Sequence, residues 1–178
     1  MVAKDSPPPS MPCRLLLVGE RPRPLDRIKA PTRAAVRTFL SQLRGPYRGA
    51  ACRGVIVGGW VILVLRQRGL RPMLRDRLEL PEGDPVYARR VGLAVEAGLG
   101  MLPVHVTCLR RSLTLQRELQ RSRCRAVLSL GVRKVNGELN AHAWVEVAGE
   151  VVNDSPAIIA TFLPLCVGDA ERLLTGAM

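Results

Sequence analysis

The chain has 178 residues, one domain's worth, and its 47% hydrophobic content suffices for an ordinary core; with only 3% aromatics, that core must be aliphatic. The formal charge of +12 favours an anionic partner. The arginines are scattered (Arg21, Arg44, Arg66, Arg89, Arg110, Arg123, Arg133) with no RNP-like stretch, zinc-finger spacing or basic-zipper heptad, so nucleic-acid binding is the lesser expectation.

Residues 1–12 hold Pro7-Pro8-Pro9 and little apolar content, and prolines recur at Pro22, Pro24 and Pro31. Residues 1–31 are therefore expected to be disordered or extended. The apolar stretch Leu15–Val18 is too short for the core of a signal peptide and runs into Glu20, which points to a cytoplasmic protein. Thr32 to Leu43 reads as an amphipathic helix with Val36, Phe39, Leu40 and Leu43 on one side, closed by Gly45-Pro46. Residues 48–68 read as a longer apolar helix ending at Arg66, Arg68 and Gly69. Its apolar run, Gly54 to Leu65, is shorter than the roughly twenty residues of a bilayer span. A buried or membrane-apposed helix is the expectation. Asp84 and Pro85 have the chemistry of an N-cap and a first helical position, and predict a helix to about Leu99.

The pattern changes after Pro103. Residues 108–121 form one more predicted helix, and short strands follow. Arg125 to Val132 alternates, with Ala126, Leu128, Leu130 and Val132 on one face; Leu139 to Val147 alternates too, and Val151 to Asp154 makes a third strand after Ala148-Gly149. Helices followed by an antiparallel meander make an α+β fold: a helical region over 32–100 and a core over 101–178, together forming one globular unit.

The five cysteines, Cys13, Cys52, Cys108, Cys124 and Cys166, are widely spaced, with no Cys-x-x-Cys pair and no zinc-site grouping with histidine. Free thiols in a reducing compartment are expected. Cys108 alone starts a predicted helix, where unpaired N–H groups and the helix dipole stabilise a thiolate. Cys108, Ser112, Leu115 and Leu119 share one helical face, with Arg110, Arg111, Arg117, Glu118 and Arg121 on the other side. The bland reading of Cys108 is a small buried hydrophobe; the other four cysteines read as packing residues.

A thiol needs a base to become a nucleophile, and the base needs a third group to orient it. The chain has two histidines. His142 lies between alanines on a strand face shared with Trp144 and Glu146, whereas His105 sits in a loop after Pro103 with no obvious carboxylate. His142 is the preferred base. A two-residue turn at Ala148-Gly149 would send Asp154 opposite Ala143, on the wrong face. A three-residue loop ending at Gly149 would pair Trp144 with Val152 and His142 with Asp154, and that register is expected. Asn153-Asp154-Ser155-Pro156 also reads simply as a turn signal.

The segments Thr107-Cys108-Leu109-Arg110-Arg111-Ser112-Leu113, Leu130-Gly131-Val132-Arg133-Lys134, Ala141-His142-Ala143-Trp144-Val145-Glu146-Val147 and Val152-Asn153-Asp154 together resemble the stand-alone leader peptidases of lasso-peptide biosynthesis, within the transglutaminase-like cysteine-enzyme superfamily. The resemblance implies a transglutaminase-like or papain-like core with the nucleophile helix packed on an antiparallel sheet. Cys108 would be the nucleophile, His142 the base and Asp154 the orienting acid, with no metal or organic cofactor. It further implies a precursor-peptide substrate, a separate leader-recognition protein, since no winged-helix pattern precedes the core, and an ATP-dependent lasso cyclase nearby in the pathway. Two other readings stay open: an acyltransferase of the same superfamily, and a non-enzymatic basic module binding nucleic acid or an anionic membrane, for which Arg53 and Arg66 frame the apolar helix.

Overall fold

Thr32 opens the first helix by chemistry local to it. In the computed structural model, which describes residues 30–70, 73, 79–135 and 137–165, the Thr32 hydroxyl accepts a hydrogen bond from the Ala35 N–H at 3.1 Å and caps α1 (Arg33–Leu43). Helix α2 (Arg48–Arg68) follows and ends at Gly69, whose φ is +69°. The Asp84 carboxylate accepts from Val86 and Tyr87 N–H at 2.9 and 3.2 Å, and Pro85 starts α3 (Pro85–Leu99). Helix α4 runs Cys108–Arg121 behind an N-cap at Thr107. The remainder is β1 (Val127–Val135), β2 (Glu138–Val147), β3 (Glu150–Val151), a short α5 (Pro156–Ile159) and β4 (Leu163–Leu165). The expectations for residues 1–29, including Cys13, and for Cys166 lie outside the described residues.

The four strands form one antiparallel sheet in the order β3-β2-β1-β4. Two differences from the sequence reading follow. Strand β1 begins at Val127 and runs to Val135, past the expected end at Val132, because Glu138–Val147 pairs with it along its full length. Strand β4 was not expected. Its three residues, two of them exposed, carry too little pattern to read in sequence.

Helix α4 is the hub. Its Leu115 and Leu119 join Val91, Ala94 and Val95 of α3 and Val145 and Val147 of β2 in one cluster, while Leu113 joins Val61 and Leu65 of α2 and Leu128 and Ala143 of the sheet in a second. Each fully buried aliphatic side chain contributes roughly 1.5–3 kcal/mol. Of the charged residues placed on the other side of α4, Arg121 is exposed but Glu118 is buried, as are Gln116 and Gln120 beside it. Periodicity treats a polar stripe as a solvated one. Here Gln116 donates to the Ala126 carbonyl at 3.3 Å, and the buried Glu118 is held by Arg53 of α2 through bonds of 2.8 and 3.0 Å from Nε. Glu118 in turn raises the pKa of Arg53, chiefly through that hydrogen bond, against a smaller opposing effect of burial.

Helices α2 and α3 cross at glycine. A side-chain carbon at Gly54 would lie 2.7 Å from the Val95 carbonyl oxygen, so only a bare backbone permits this approach. The inner face of α2 carries Ala50, Ala51, Gly54, Gly58, Val61 and Leu65. Its outer face leaves Ile56, Trp60 and Leu63 exposed, so the apolar run is half core and half surface. Arg53 pairs with Glu118 while its side chain stays partly exposed. Leu40 of α1, expected on the apolar side of its helix, is also exposed.

Candidate active site

Cys108 is the first residue of α4. Thr107 caps the helix, its hydroxyl accepting from the Arg110 N–H at 3.5 Å. The first-turn N–H groups of a helix have no partner within it, and their field favours an anion at this end. The Cys108 side chain is half-buried and packs against the cluster of Val61, Leu65, Leu113, Leu128 and Ala143. One turn on, the buried Ser112 hydroxyl donates to the Ala143 carbonyl at 2.9 Å. That bond ties the cysteine's helix to the strand residue next to His142.

His142 sits on β2, opposite Gly131 of β1. Its Nε2 is 2.6 Å from Asp154 Oδ2, and the two side chains are 20% and 24% exposed. With the carboxylate as acceptor, Nε2 carries the hydrogen and donates it. The tautomer then leaves the Nδ1 lone pair available as a base. Asp154 Oδ1 accepts from the Ser155 N–H at 2.7 Å, so both carboxylate oxygens are directed. The imidazole is flanked by Phe162, with centroids 5.1 Å apart, and by Trp144 at 6.3 Å.

The backbone reaches this arrangement by a different route from the one expected. Ala148 and Gly149 have φ of +49° and +78°, the signature of a tight two-residue turn, and the pairs are Val147 with Glu150 and Glu146 with Val151. The three-residue loop is therefore incorrect, and the third strand ends at Val151 rather than Asp154. Continued as a ladder, this register would bring Asp154 beside Ala143 on the other face. The ladder does not continue. Val152 N–H still donates to the Val145 carbonyl at 3.0 Å, but the Val145 N–H goes to Asn153 Oδ1 at 2.8 Å. Asn153 Nδ2 then donates to Ser112 Oγ at 2.9 Å. An amide side chain replaces a strand carbonyl, residues 152–154 bend away, and the carboxylate comes round to the imidazole.

Glu146 and Asn153, the other side chains that could orient the imidazole, are otherwise engaged, and the rival base lies outside the sheet. His105 is exposed in the loop before α4, where its carbonyl accepts from Arg110 Nη1 at 2.9 Å. Glu146 accepts the Trp144 indole N–H at 2.6 Å. Asn153 is occupied as described. Cys124 is buried, and burial first, then the Asp84 charge, pushes its thiol pKa up. Cys52, read as a packing residue, is exposed on α2.

Sequence reasoning put Ser112 on the inner face of α4 without giving it a task. A lone hydroxyl among Cys108, Leu115 and Leu119 was the available signal, since a buried hydroxyl needs a partner. Phe162 carried no signal, because nothing local links it to His142, twenty residues earlier in the chain.

A family model described as Transglut_core3, transglutaminase-like superfamily, matches residues 59–167, more than half of the chain, a span that includes Cys108, Ser112, His142, Asn153, Asp154 and Phe162. No curated protein and no solved structure matches it.

Proposed function

The chain belongs to the transglutaminase-like superfamily, and on that premise we propose that it is a cytoplasmic cysteine peptidase that removes the leader from a lasso-peptide precursor. The observation that carries this reading is the 2.6 Å hydrogen bond between His142 Nε2 and Asp154. In a family of cysteine enzymes, it supplies an oriented base on a strand tied through Ser112 to the helix that Cys108 begins.

In this reading the Nδ1 lone pair of His142 takes the Cys108 proton. The thiolate attacks the carbonyl carbon of the last leader residue, forming a C–S bond as the carbonyl electron pair moves to oxygen. The Cys108 N–H, at the head of α4, is one donor to that oxyanion. On collapse the C–N bond breaks, and the imidazolium returns its proton to the departing α-amine of the core peptide. Water, deprotonated by Nδ1, then hydrolyses the thioester and restores the thiol. Asp154 holds the tautomer and stabilises the imidazolium throughout.

The choice of a lasso precursor rests on the likeness of the segments around Cys108, Gly131, His142 and Asp154 to such leader peptidases. A separate leader-recognition protein belongs to the proposal, since the described elements ahead of Cys108 are the helices α1 to α3. A tethered leader presents its scissile bond at a far higher effective concentration than free substrate. The freed amine suits an ATP-dependent cyclase as the next step.

The test is mass spectrometry of precursor incubated with the chain, with and without the leader-binding protein. Cleavage at the leader–core bond, faster with the partner and absent in Cys108→Ala, is expected. Retained turnover in Cys108→Ala overturns the assignment. A leader carrying a new amide in place of a free acid reassigns the chain to acyl transfer.

A further inference from the structure

The His142 ring is held on one edge by Asp154, but one hydrogen bond leaves an imidazole free to tilt about it. Phe162 supplies a face. Its ring stacks on His142 with centroids 5.1 Å apart and planes 28° from parallel, and Phe162 itself is only 8% exposed. Phe162 comes from the turn between α5 and β4, where its N–H donates to the Ile159 carbonyl at 2.9 Å. Two further groups fix it. The Arg133 guanidinium lies 4.5 Å from the Phe162 ring centroid, and Arg133 Nη1 donates to the Thr161 hydroxyl at 3.1 Å. Arg133 thereby ties β1 to the turn that carries Phe162.

Gly131 makes room for this. It lies directly opposite His142 on β1. A side-chain carbon there would sit 2.8 and 2.9 Å from ring carbons of Trp144 and 3.0 Å from the Phe162 Cβ. The Trp144 ring and the Cβ of Phe162 therefore close over the sheet at the one position in its strands without a side chain, opposite the histidine.

We propose that Phe162, clamped by Arg133 and Thr161 and seated over Gly131, is a positioning residue that holds the His142 ring in the plane where Nε2 meets Asp154 and keeps water from that hydrogen bond. The inference rests on the peptidase reading for its kinetic consequence, but not for its structural one. An imidazole confined to one rotamer loses little further entropy on reaching the transition state. A hydrogen bond shielded by a ring exchanges its proton slowly.

Proton NMR of the full chain tests this without turnover. The wild type should show a low-field Nε2–H resonance that Asp154→Asn removes. Phe162→Ala should broaden or abolish it by exchange with water, and Phe162→Tyr, which keeps the ring face, should retain it. With precursor and partner, Phe162→Ala should lower kcat roughly tenfold at little-changed KM, and Phe162→Tyr should restore it. A folded Phe162→Ala protein with the wild-type resonance and kcat overturns the proposal. Where Phe162→Ala does not fold, Arg133→Met is judged by the same resonance: faster exchange supports the clamp, and an unchanged line overturns it. If the resonance responds as expected while no variant, nor the wild type, cleaves any precursor, the peptidase reading fails and the positioning role stands.

Discussion

The Asp154 carboxylate lies 2.6 Å from His142 Nε2, although the pairing across the Ala148-Gly149 turn directs position 154 toward the other face of the sheet. What resolves the conflict is Asn153, whose side chain takes the Val145 N–H and releases the main chain from β2. The acid therefore depends on its neighbour for its place.

Replacing the acid should separate chemistry from fold. Asp154→Asn should keep a native circular dichroism spectrum and lower kcat by about 10³–10⁴-fold, through loss of the tautomer and of imidazolium stabilisation. A rate within tenfold of wild type would remove Asp154 from the mechanism.

Asn153 should matter for both stability and rate. Asn153→Ala leaves the Val145 N–H without its acceptor and the Ser112 hydroxyl without the donor it now has. About 1–3 kcal/mol of stability should be lost in urea titration. The kcat should fall as well, because residues 152–154 are then free to rejoin the ladder and carry Asp154 away. Loss of stability with an unchanged rate would show that Asp154 finds His142 unaided.

The two inner cysteines should behave differently. Cys108→Ala should abolish leader removal, whereas Cys124→Ala should keep it at a cost of about 1 kcal/mol for a small cavity. Burial holds the Cys124 thiol pKa above its ordinary value. The unfolded chain therefore releases that proton first as pH rises. The stability this group contributes is complete below the ordinary thiol pKa and is lost as pH climbs through the raised one. Cys124→Ala should flatten that alkaline decline in the denaturation midpoint; an identical decline in the variant would contradict the assignment.

The buried Glu118 should be expensive to orphan. Arg53→Met leaves a carboxylate that is 2% exposed without its guanidinium. The loss should be about 2–4 kcal/mol, at the lower part of the usual range because the arginine end of the pair is partly open to water. The double replacement Arg53→Met with Glu118→Leu should recover much of it. Chemical denaturation that finds the single change nearly neutral would mean that water reaches Glu118.

Much of the architecture was legible because its signals are local. Asp84-Pro85 caps its helix through atoms two or three residues away, and alternating side chains marked both long strands. The place of Cys108 at a helix start and of His142 within a strand was legible for the same reason. The burial of Glu118, the exposure of Ile56 and Trp60, and strand β4 were not, since each depends on which element lies alongside.

The sequence by itself determined where helices α1 to α4 and the two long strands lie, and that Cys108 begins a helix and His142 sits within a strand, because capping and alternation act over a few residues. Only the tertiary structure decided how Asp154 reaches His142 and that Phe162 lies on the imidazole. Both depend on contacts from distant elements: Ser112 of α4, forty-one residues away, anchors the Asn153 amide that diverts the strand, and Arg133 of β1 steadies the ring. A two-residue turn sets a register, but a side chain that captures one N–H of the ladder can overrule it.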